Sequence, residues 1–505
     1  MDNGFVYLVG AGPGRADLIT VRGAEVLKRA DCIIYDKLAN PALLRFARAN
    51  AEIIHVPKRT GGVSVTQEEI NKLLLEKASA GRTVVRLKGG DPCIFGRCAE
   101  ELAVLAEAGI DFEIVPGLTA GIAGPAYAGI ILTDREYSSQ VVFVTGREAQ
   151  GKRESNIDWH LLARFNGTIV FYMGMGNLDY ITERLMENGM DADTPTAVIA
   201  DATFPTQKVA KAPLGDISQK CQQAEIEPPA IIIIGAAADS NTQLNWFMKK
   251  PLFGKNIVVT RDVAGNADFA AKIISRCGNP LKFATIKIKP LTETNEFLRT
   301  LAKITEYDWI IFTSGNGVTI FFKALQNLRK DARVFGPAKI AAIGNGTAAK
   351  LSEFGISADF VPSVFTSKEL GRQLIGYTNL QGKKILLLRS QLASNELVEL
   401  LDEAGAEVQN VAVYTAIEQK SQSAWLIEEI SKGRIDWLTF ASPSSVNGFF
   451  EQIRSDLVNS GNVKIASIGP VTSERLKTLG ITVDVTAADH TLDGLLDAIE
   501  QTYKV

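Results

Sequence analysis

The sequence predicts an α/β protein with largely parallel sheets, and three observations support this fold class. Apolar strand-like segments alternate with amphipathic helix-like segments throughout, as in "FVYLVG", "RGAEVLKRA" and "CIIYD" near the start. The chain has 505 residues, and at about 150 residues per domain this length calls for three or four units. Segments of the second half also recur in the same order. Together these features predict several α/β lobes rather than one large sheet.

Composition argues against several classes of function. The net charge of −3 provides no global basic field, so we expect no nucleic-acid partner. The longest apolar run, "AIIIIGAAA", is far shorter than the ~20 residues of a membrane span and predicts a buried strand. The start lacks the basic region of a signal peptide, and the five cysteines and three histidines show no metal-ligand spacing. We therefore expect a cytoplasmic protein with no membrane partner and no metal.

A domain boundary is predicted near residue 250. There "LNWFMKKPLFGKNIVVTR" passes from an aromatic cluster through a Pro/Gly turn into a new strand. The chain is accordingly divided into 1–250 and 251–505.

The second half contains an internal repeat. "IFTSGNGV" resembles "TFASPSSV", and "IGNGTAAKLSEFGISAD" resembles "IGPVTSERLKTLGITVD". In the second pair six identities recur 125 residues later: Gly344, Thr347, Leu351, Gly355, Ile356 and Asp359 become Gly469, Thr472, Leu476, Gly480, Ile481 and Asp484. The repeat predicts two homologous α/β lobes whose loops face each other.

In the first half, two predicted strands each end in a glycine-rich stretch. "VGAGPG" could bring backbone close to a ligand, and Asp36 at the end of "CIIYD" lies where a dinucleotide fold places its ribose-binding acid. A nicotinamide-dependent dehydrogenase is therefore one alternative, although Arg15 stands where GxGxxG has its third glycine. In "VVRLKGGDPCIFGR", the bare backbone of Gly89 and Gly90 could bind a polar ligand, or could simply form a turn.

Seven ordered segments of the first half resemble the uroporphyrinogen-III C-methyltransferases, which belong to the tetrapyrrole methylases. These segments span residues 4–248: "VYLVGAGPGRADLIT", "YDKL", "VVRLKGGDPCIFGR", "EEL", "VPGLTAGIAGPAYAGIILTDR", "VFYMG" and "LNWF". The resemblance implies a two-lobed fold that binds S-adenosylmethionine in a cleft and methylates C2 and C7 of uroporphyrinogen III. The product would be precorrin-2, on the way to sirohaem or cobalamin. A homodimer through the N-terminal half is implied as well.

The resemblance also implies roles for individual residues. Asp36 would accept a proton from the pyrrole nitrogen and Lys58 would donate one, as a positioned carboxylate and ammonium can. The substrate carries eight carboxylates, so basic side chains should bind it. S-adenosylmethionine would contact Pro13, Gly89, Gly90, Asp91, Ile94, Thr119, Ala120, Met173 and Ala202. Candidate carboxylate-binding residues are Arg15, Lys58, Arg59, Arg86, Arg97 and Arg135.

Four sites depart from the family pattern. Cys93 replaces the Phe of "GDPFIFGRGGEE", Cys98 and Ala99 replace its two glycines, Pro57-Lys58-Arg59 stands in place of "GKR", and "TGR" at Arg147 replaces "TGH". We expect Cys93 and Cys98 to be packing residues, because methyl transfer needs no thiol.

The second half resembles uroporphyrinogen-III synthase over residues 255–502, through "IVVTR", "FTSGNGV", "AAIGNGTA", "VAVYTA", "FASPSSV" and "SIGPVTSERL". That family closes hydroxymethylbilane with loss of water and inversion of ring D. It implies two lobes joined by a two-stranded linker, one formed by 255–287 with 418–505 and the other by 288–417. A fused synthase would supply the methylase with its substrate at high local concentration.

By this resemblance, Tyr414 would donate a proton to the departing hydroxyl, and Arg261 would meet a propionate. Hydroxyl groups at strand ends and helix starts can bind carboxylates, but they also suit helix N-caps. Those proposed for substrate binding are Ser314, Thr347, Ser442 and Thr472, with Asn316 and Ser444 beside them. The alternative is that this half binds a tetrapyrrole without catalysis; a pure sensor would bind the linear substrate without closing it.

Overall fold

A computed structural model describes residues 4–48, 50–56, 65–136, 138–147, 156–239, 242–419 and 423–504. The chain divides into two compact units, Met1–Gly254 and Lys255–Val505. Each unit contains two five-stranded sheets, and each sheet forms the centre of one lobe. Among the described residues, no helix combines the length and apolarity needed to cross a membrane.

The first lobe is built on an all-parallel sheet. Its strands are β1 (Phe5–Gly10), β2 (Cys32–Asp36), β3 (Glu52–Val56), β4 (Thr83–Lys88) and β5 (Asp111–Val115). Its helices are α1 (Val21–Leu27), α2 (Gln67–Ser79) and α3 (Cys98–Glu107). The order β3-β2-β4-β1-β5 makes β4 and β1 neighbours, so the loops that follow them meet at the carboxyl edge of the sheet. The inner strands are nearly continuous apolar runs because both faces of the sheet are covered.

The second lobe carries a mixed sheet. Its elements are α4 (Ala120–Ala128), β6 (Val141–Thr145), α5 (Trp159–Ala163), β7 (Thr168–Tyr172), α6 (Leu178–Glu187), β8 (Pro195–Ala200), β9 (Lys208–Pro213), α7 (Ile217–Gln223) and β10 (Ala230–Ile234). The order is β6-β7-β10-β8-β9, with only β6 and β7 parallel. The isoleucine run of β10 is buried between β7 and β8, which confirms the strand predicted there.

The second unit contains ten strands and eleven α-helices among its described residues. The strands are β11 (Asn256–Val259), β12 (Asn279–Lys282), β13 (Ile286–Pro290), β14 (Trp309–Phe312), β15 (Lys339–Ala342), β16 (Lys384–Ser390), β17 (Glu407–Glu418), β18 (Trp437–Phe440), β19 (Lys464–Ser467) and β20 (Val485–Thr486). The helices are α8 (Val263–Ser275), α9 (Asn295–Ala302), α10 (Gly315–Asn327), α11 (Asn345–Ser352), α12 (Ser367–Tyr377), α13 (Glu396–Glu403), α14 (Ala424–Ser431), α15 (Pro443–Phe450), α16 (Ser455–Ser460), α17 (Pro470–Thr478) and α18 (Leu492–Gln501).

These strands form two sheets. One has the order β12-β11-β18-β19-β20 and is entirely parallel. The other has the order β13-β17-β16-β14-β15 and is parallel except for the β13–β17 pair. The chain therefore passes between the sheets after β12 and again after β17. Short 3-10 helices complete the two units at Ala16–Leu18, Pro41–Phe46, Met175–Asn177, Ala236–Asp239, Thr242–Leu244, Ile304–Glu306 and Ala332–Phe335.

Equivalent hydrogen bonds confirm the repeat predicted from the sequence. Asp359 Oδ2 accepts from the backbone nitrogen of Ile340 at 2.7 Å, and Asp484 Oδ2 accepts from that of Ile465 at 2.7 Å. Each aspartate thus fixes the start of an equivalent strand, β15 in one lobe and β19 in the other.

Candidate active sites

Three loops meet at the carboxyl edge of the first sheet. Gly12 and Gly90 exchange two backbone hydrogen bonds, of 3.2 and 2.7 Å, which join the loop after β1 to the loop after β4. A Cβ added at Gly117, after β5, would lie 2.3 Å from the carbonyl oxygen of Gly90, and one at Gly10 would lie 2.7 Å from the same atom. Only glycine permits this approach of the three backbones, and Gly90 itself has a φ of +68°.

Asp91 connects two of these loops through its carboxylate. Its Oδ2 accepts from the backbone nitrogen of Gly117 at 2.9 Å, and its Oδ1 accepts from that of Cys93 at 2.8 Å. The Asp91 side chain is therefore engaged by the protein itself and holds the two loops together.

Tyr172, at the end of β7, connects the second lobe to the start of α4. Its hydroxyl accepts from the backbone nitrogen of Gly121 at 2.9 Å and shares a hydrogen bond of 2.8 Å with Thr119 Oγ1. Burial raises the pKa of the Tyr172 hydroxyl. Its ring packs against Phe95 and Phe143, with centroid separations of 5.1 and 5.7 Å.

Backbone strain is concentrated around these loops. Non-glycine residues in left-handed conformations cost about 1–3 kcal/mol each and cluster at functional sites. Five of them, with φ between +47° and +71°, lie in the loops after β4, β7 and β8: Phe95, Arg97, Met173, Asp201 and Thr203.

A cleft of about 680 Å³ lies between the two lobes of the first unit. The volume is within the range of small-molecule sites. The first lobe contributes Phe95 and Arg97; the second contributes Phe143, Arg147, Leu161 and Met173 among others. The cleft wall therefore combines aromatic and cationic groups.

A buried charge network lies beneath the first sheet's carboxyl edge. Glu101 is 0% exposed and binds Arg86 Nε at 3.1 Å and Lys88 Nζ at 2.7 Å. Burial alone would raise the pKa of Glu101, but the two cations outweigh it and the pKa is lowered. Arg86 also binds Asp36 Oδ1 at 2.6 Å.

This network corrects the expectation for Arg86 and places Asp36. Arg86 was a candidate for binding substrate carboxylates, but it is fully buried and already pairs with two acids. Asp36, which is expected to accept a proton, has a side chain that is 23% exposed, and Arg86 binds one of its oxygens.

The structure brings together several residues predicted to bind S-adenosylmethionine. A Cβ added at Gly90 would be 3.9 Å from Thr119 Cα and 4.0 Å from the nitrogen of Ala120, so these residues adjoin. Met173 lines the cleft. Gly89 directly follows β4, Ile94 is half-buried in the next turn, Pro13 follows β1 and Ala202 is buried against Gly124.

The predicted carboxylate-binding residues have varied positions. Arg97 lines the cleft, and its guanidinium pairs with Glu100 at 2.6 and 2.5 Å. Arg135 is exposed and is not part of the cleft wall. Lys58 and Arg59 lie outside the described residues. Sequence reasoning missed Phe95 as a residue of the cleft wall and Tyr172 as the partner of Thr119, although both lie within segments already singled out.

In the second unit, Tyr414 lies on β17 and is 8% exposed. Its hydroxyl is 2.9 Å from Ser314 Oγ and also bonds to Ser390. Burial raises the pKa of Tyr414 and the carboxylate of Asp262 raises it further, while the two serine hydrogen bonds act in the opposite direction. Tyr414 therefore stays protonated at neutral pH.

Ser314 and Ser442 begin equivalent helices. Ser314 Oγ accepts from the nitrogen of Gly317 at 3.0 Å, and Ser442 Oγ accepts from that of Ser445 at 3.2 Å. Both are therefore N-caps, as the alternative interpretation of their positions predicted. Because Ser314 Oγ accepts the capping bond, its own hydrogen is available to Tyr414.

The remaining synthase candidates are less accessible. Thr347 and Thr472 are buried, with 6% and 2% of their surfaces exposed. Arg261 is half-buried, and its backbone nitrogen donates to Asn266 Oδ1 at 2.7 Å. Arg389, which sequence reasoning missed, is 2% exposed and donates to the carbonyl of Ser394. Burial lowers the pKa of Arg389.

Two family models match the chain. Residues 6–218 match the Tetrapyrrole (Corrin/Porphyrin) Methylases, and residues 267–497 match Uroporphyrinogen-III synthase HemD. The porphyrin biosynthesis protein HemD of Ruminiclostridium josui is 37% identical over 499 residues, which cover 99% of this chain and 98% of that protein. The chain belongs to this family of fused tetrapyrrole methylases and uroporphyrinogen-III synthases.

Other relatives match parts of this methylase–synthase chain. The uroporphyrinogen-III C-methyltransferase of Bacillus subtilis is 41% identical over 355 residues, covering 70% of this chain and 72% of that protein. The crystal structure of uroporphyrin-III C-methyltransferase from Thermus thermophilus with S-adenosylhomocysteine is 35% identical, with a TM-score of 0.41, and covers 47% of this chain and 94% of that one.

Family membership decides between the enzyme classes considered from the sequence. The methylase–synthase is a bifunctional enzyme of tetrapyrrole biosynthesis, with a methyltransferase domain followed by a uroporphyrinogen-III synthase domain. The nicotinamide dehydrogenase alternative is wrong, because the glycine loop on which it depended lies within the methylase match.

Proposed function

We propose that the first unit transfers methyl groups from S-adenosylmethionine to C2 and C7 of uroporphyrinogen III, giving precorrin-2. The second unit would make that substrate, closing hydroxymethylbilane with loss of water and inversion of ring D. The observation that carries the methylase half is the meeting of three glycine loops beside a cleft with aromatic and cationic walls. The synthase half rests on the protonated Tyr414 in contact with Ser314.

The residues at the loop junction fit S-adenosylmethionine. The backbones of Gly10, Gly90 and Gly117 pack so closely that only glycine fits, which fixes the loops that carry the proposed contacts. S-adenosylmethionine supplies an electrophilic methyl group. The residues that would hold it are Pro13, Gly89, Gly90, Asp91, Ile94, Thr119, Ala120, Met173 and Ala202.

Proton handling in the methylase is assigned to Asp36 and Lys58. Arg86 fixes Asp36 Oδ1, which leaves Oδ2 to accept the proton of the pyrrole nitrogen as the carbon is methylated. Lys58 would donate the returning proton. The substrate's carboxylates would be bound by Arg59, Arg97 and Arg135, and Arg147 in the cleft wall is a further candidate.

In the synthase, Tyr414 would donate its proton to the hydroxyl that leaves the linear substrate. Its buried, hydrogen-bonded hydroxyl stays protonated at neutral pH and can act as a general acid there. Arg261 would bind a propionate. Hydroxyl groups that would bind carboxylates are those of Ser314, Thr347, Ser442 and Thr472; the two buried threonines would need the lobes to open.

We further infer that the chain is a cytoplasmic homodimer that pairs through its N-terminal unit. That unit exposes large apolar side chains, among them Val21, Ile122 and Ile131, which a partner copy would cover. Sedimentation of the protein and of an Ile131→Asp variant measures the oligomeric state directly. A monomeric wild type would contradict the proposed dimer.

One anaerobic incubation with hydroxymethylbilane, with and without S-adenosylmethionine, tests both activities. Products are oxidised and separated by isomer and mass. We expect isomer III without S-adenosylmethionine, and a species heavier by two methyl groups with it. Isomer I alone, as in spontaneous closure, would leave the second unit as a non-catalytic tetrapyrrole-binding module. Isomer III without added methyl groups would overturn the methylase assignment.

A further inference from the structure

A buried cation lies near the end of β16 without an acid to pair with it. Arg389 is 2% exposed, and among the described residues its one hydrogen bond runs from Nη2 to the carbonyl oxygen of Ser394. The Nε of Arg389 is buried and has no hydrogen-bond partner. Burial is the only cause that shifts the pKa of Arg389, which it lowers, so no carboxylate among the described residues offsets the burial. Buried charges in proteins are usually paired with an opposite charge, and Arg389 is an exception within this fold.

The carbonyl group that Arg389 contacts lies just before an uncapped helix. α13 begins at Glu396, and the side chain of its N-cap residue, Asn395, accepts no backbone hydrogen bond. The first backbone N–H groups of a helix lack partners within the helix, and together with the helix dipole they favour an anion. The acids of the first turn, Glu396 and Glu399, are exposed, and Glu396 Oε1 is 3.5 Å from Lys368 Nζ. Neither acid forms an ion pair with Arg389.

The end of β16 also contributes to the proposed catalytic site. The pairing of β16 with β17 is regular up to Arg389 and then shifts, so that Ser390 pairs with Tyr414. Such bulges re-aim side chains and are common next to active sites. The backbone nitrogen of Gln391 donates to the carbonyl oxygen of Tyr414 at 2.9 Å. Strand alternation places Arg389 on the face of Leu387, which packs against α12 and α13, so Arg389 and Tyr414 lie at the same edge of the sheet on opposite faces.

We propose that Arg389 and the first backbone N–H groups of α13 form a carboxylate-binding site, which takes an acetate or propionate group of the linear tetrapyrrole in the synthase reaction. A guanidinium group binds a carboxylate through two parallel hydrogen bonds, and this geometry would engage the Nε of Arg389. Hydroxymethylbilane carries an acetate and a propionate on each pyrrole ring, so one of these groups can bind here while the hydroxymethyl end lies at Tyr414. This role rests on the proposed function of the second unit.

The turn that covers Arg389 is exposed and can admit such a group. Gln391, Leu392, Ser394 and Asn395 all face solvent, and Leu392 is 61% exposed. The carbonyl oxygen of Ser394 is a neutral acceptor, whereas a hydrogen bond to an ionised carboxylate is about twice as strong. A substrate carboxylate can therefore replace this carbonyl group as the acceptor for Arg389, with a local rearrangement of one turn.

Arg389→Met separates a binding role from a structural one, because it removes the charge and keeps an unbranched side chain. Replacing a structural arginine should destabilise the free protein, whereas exchanging an unpaired buried charge for an apolar group should be neutral or stabilising. We expect the urea midpoint of the free full-length protein to stay equal or rise. The KM for hydroxymethylbilane should rise about 10–100-fold with kcat unchanged, as for loss of a hydrogen bond between charged groups. Arg389→Lys should recover part of the affinity.

Arg372→Met is the matched control. Arg372 lies on α12 in the same lobe, its side chain is 57% exposed, and it pairs with Glu369 at 3.2 Å. We expect this substitution to leave both the urea midpoint and KM unchanged. A lower midpoint with an unchanged KM in Arg389→Met would show that Arg389 is structural and would overturn the proposal.

Inorganic phosphate tests the site independently of catalysis. An anion that binds only the folded state raises the midpoint of unfolding. At an ionic strength held constant with sodium chloride, phosphate should raise the midpoint of the second unit in the wild type and in Arg372→Met, but not in Arg389→Met. An equal response of all three proteins would overturn the site.

The two measurements together distinguish the ligand from the function of the domain. A phosphate response that depends on Arg389, with an unchanged KM in Arg389→Met, would show that the site takes a free anion and would overturn its assignment to the substrate. A wild type that responds to phosphate but forms no isomer III would instead contradict the proposed synthase activity.

Discussion

The hydroxyl oxygens of Tyr414 and Ser314 are 2.9 Å apart, and Ser314 simultaneously caps α10. Its repeat counterpart, Ser442, caps α15 in the same way, but has no tyrosine partner among the described residues. The internal duplication has therefore produced two equivalent helix caps, of which one also contacts the proposed general acid. This asymmetry allows the stabilising role of the serine to be separated from a role in proton transfer.

Ser314→Ala and Ser442→Ala should destabilise the synthase domain equally but affect catalysis differently. Each removes one N-cap, which costs about 1 kcal/mol of unfolding free energy. Only Ser314→Ala removes a hydrogen bond to Tyr414, so kcat for isomer III formation should fall about tenfold. Replacing a residue that only binds substrate should raise KM and leave kcat unchanged, and this is the result we expect for Ser442→Ala. Urea titrations and steady-state kinetics measure both effects. Equal losses of kcat would show that Ser314 acts only as a cap.

Tyr414→Phe should lower kcat of ring closure by about 10²–10⁴, the usual contribution of a positioned acid. It should also change the pH dependence of stability. The pKa of Tyr414 is raised from its usual value of 10.0 in the folded protein, so its stabilising contribution is complete below pH 10 and is lost as pH rises through the folded pKa. The unfolding free energy of the wild type should therefore fall more steeply above pH 10 than that of the variant. Parallel curves would show that Tyr414 titrates alike in the folded and unfolded chain.

Much of this architecture could be predicted from the sequence. Strand and helix periodicity is a local pattern, and the internal repeat can be found by comparing segments of the chain directly. The loops after β1 and β4 were also identified, since Gly90 and Asp91 are unusual residues for the end of a strand. The pairing of Arg86 with Glu101 was not predicted. The sequence around a basic residue in a strand does not show whether its side chain faces a ligand or a buried acid on a neighbouring helix.

Glu101→Gln should destabilise the methylase domain strongly, by about 3–5 kcal/mol, because it leaves Arg86 and Lys88 buried without their shared acid. The adjacent Glu100→Gln is a matched control, since Glu100 is half-exposed and its pair with Arg97 should contribute less than about 1 kcal/mol.

The pKa of Glu101 is lowered from 4.5, so its contribution to the unfolding free energy is complete above pH 4.5 and is lost as pH falls through the folded pKa. The difference between wild type and Glu101→Gln in urea titrations should therefore shrink under acid. Equal effects of the two substitutions would contradict a buried network.

Gly117→Ala should abolish methylation while ring closure continues. The added Cβ would lie 2.3 Å from the carbonyl oxygen of Gly90 and 2.7 Å from the Cα of Gly10. Both are backbone atoms of the neighbouring loops, so neither can rotate away, and the junction must open by more than a side-chain adjustment. The synthase elements belong to a separate compact unit, Lys255–Val505, and contain none of these residues.

Gly176→Ala is the matched control, because its Cβ would meet nothing within 4 Å, and both activities should survive it. Isomer III and its dimethylated product are quantified in one anaerobic reaction for each variant. Full methylation by Gly117→Ala would show that the close approach of the three loops is not needed to bind the methyl donor.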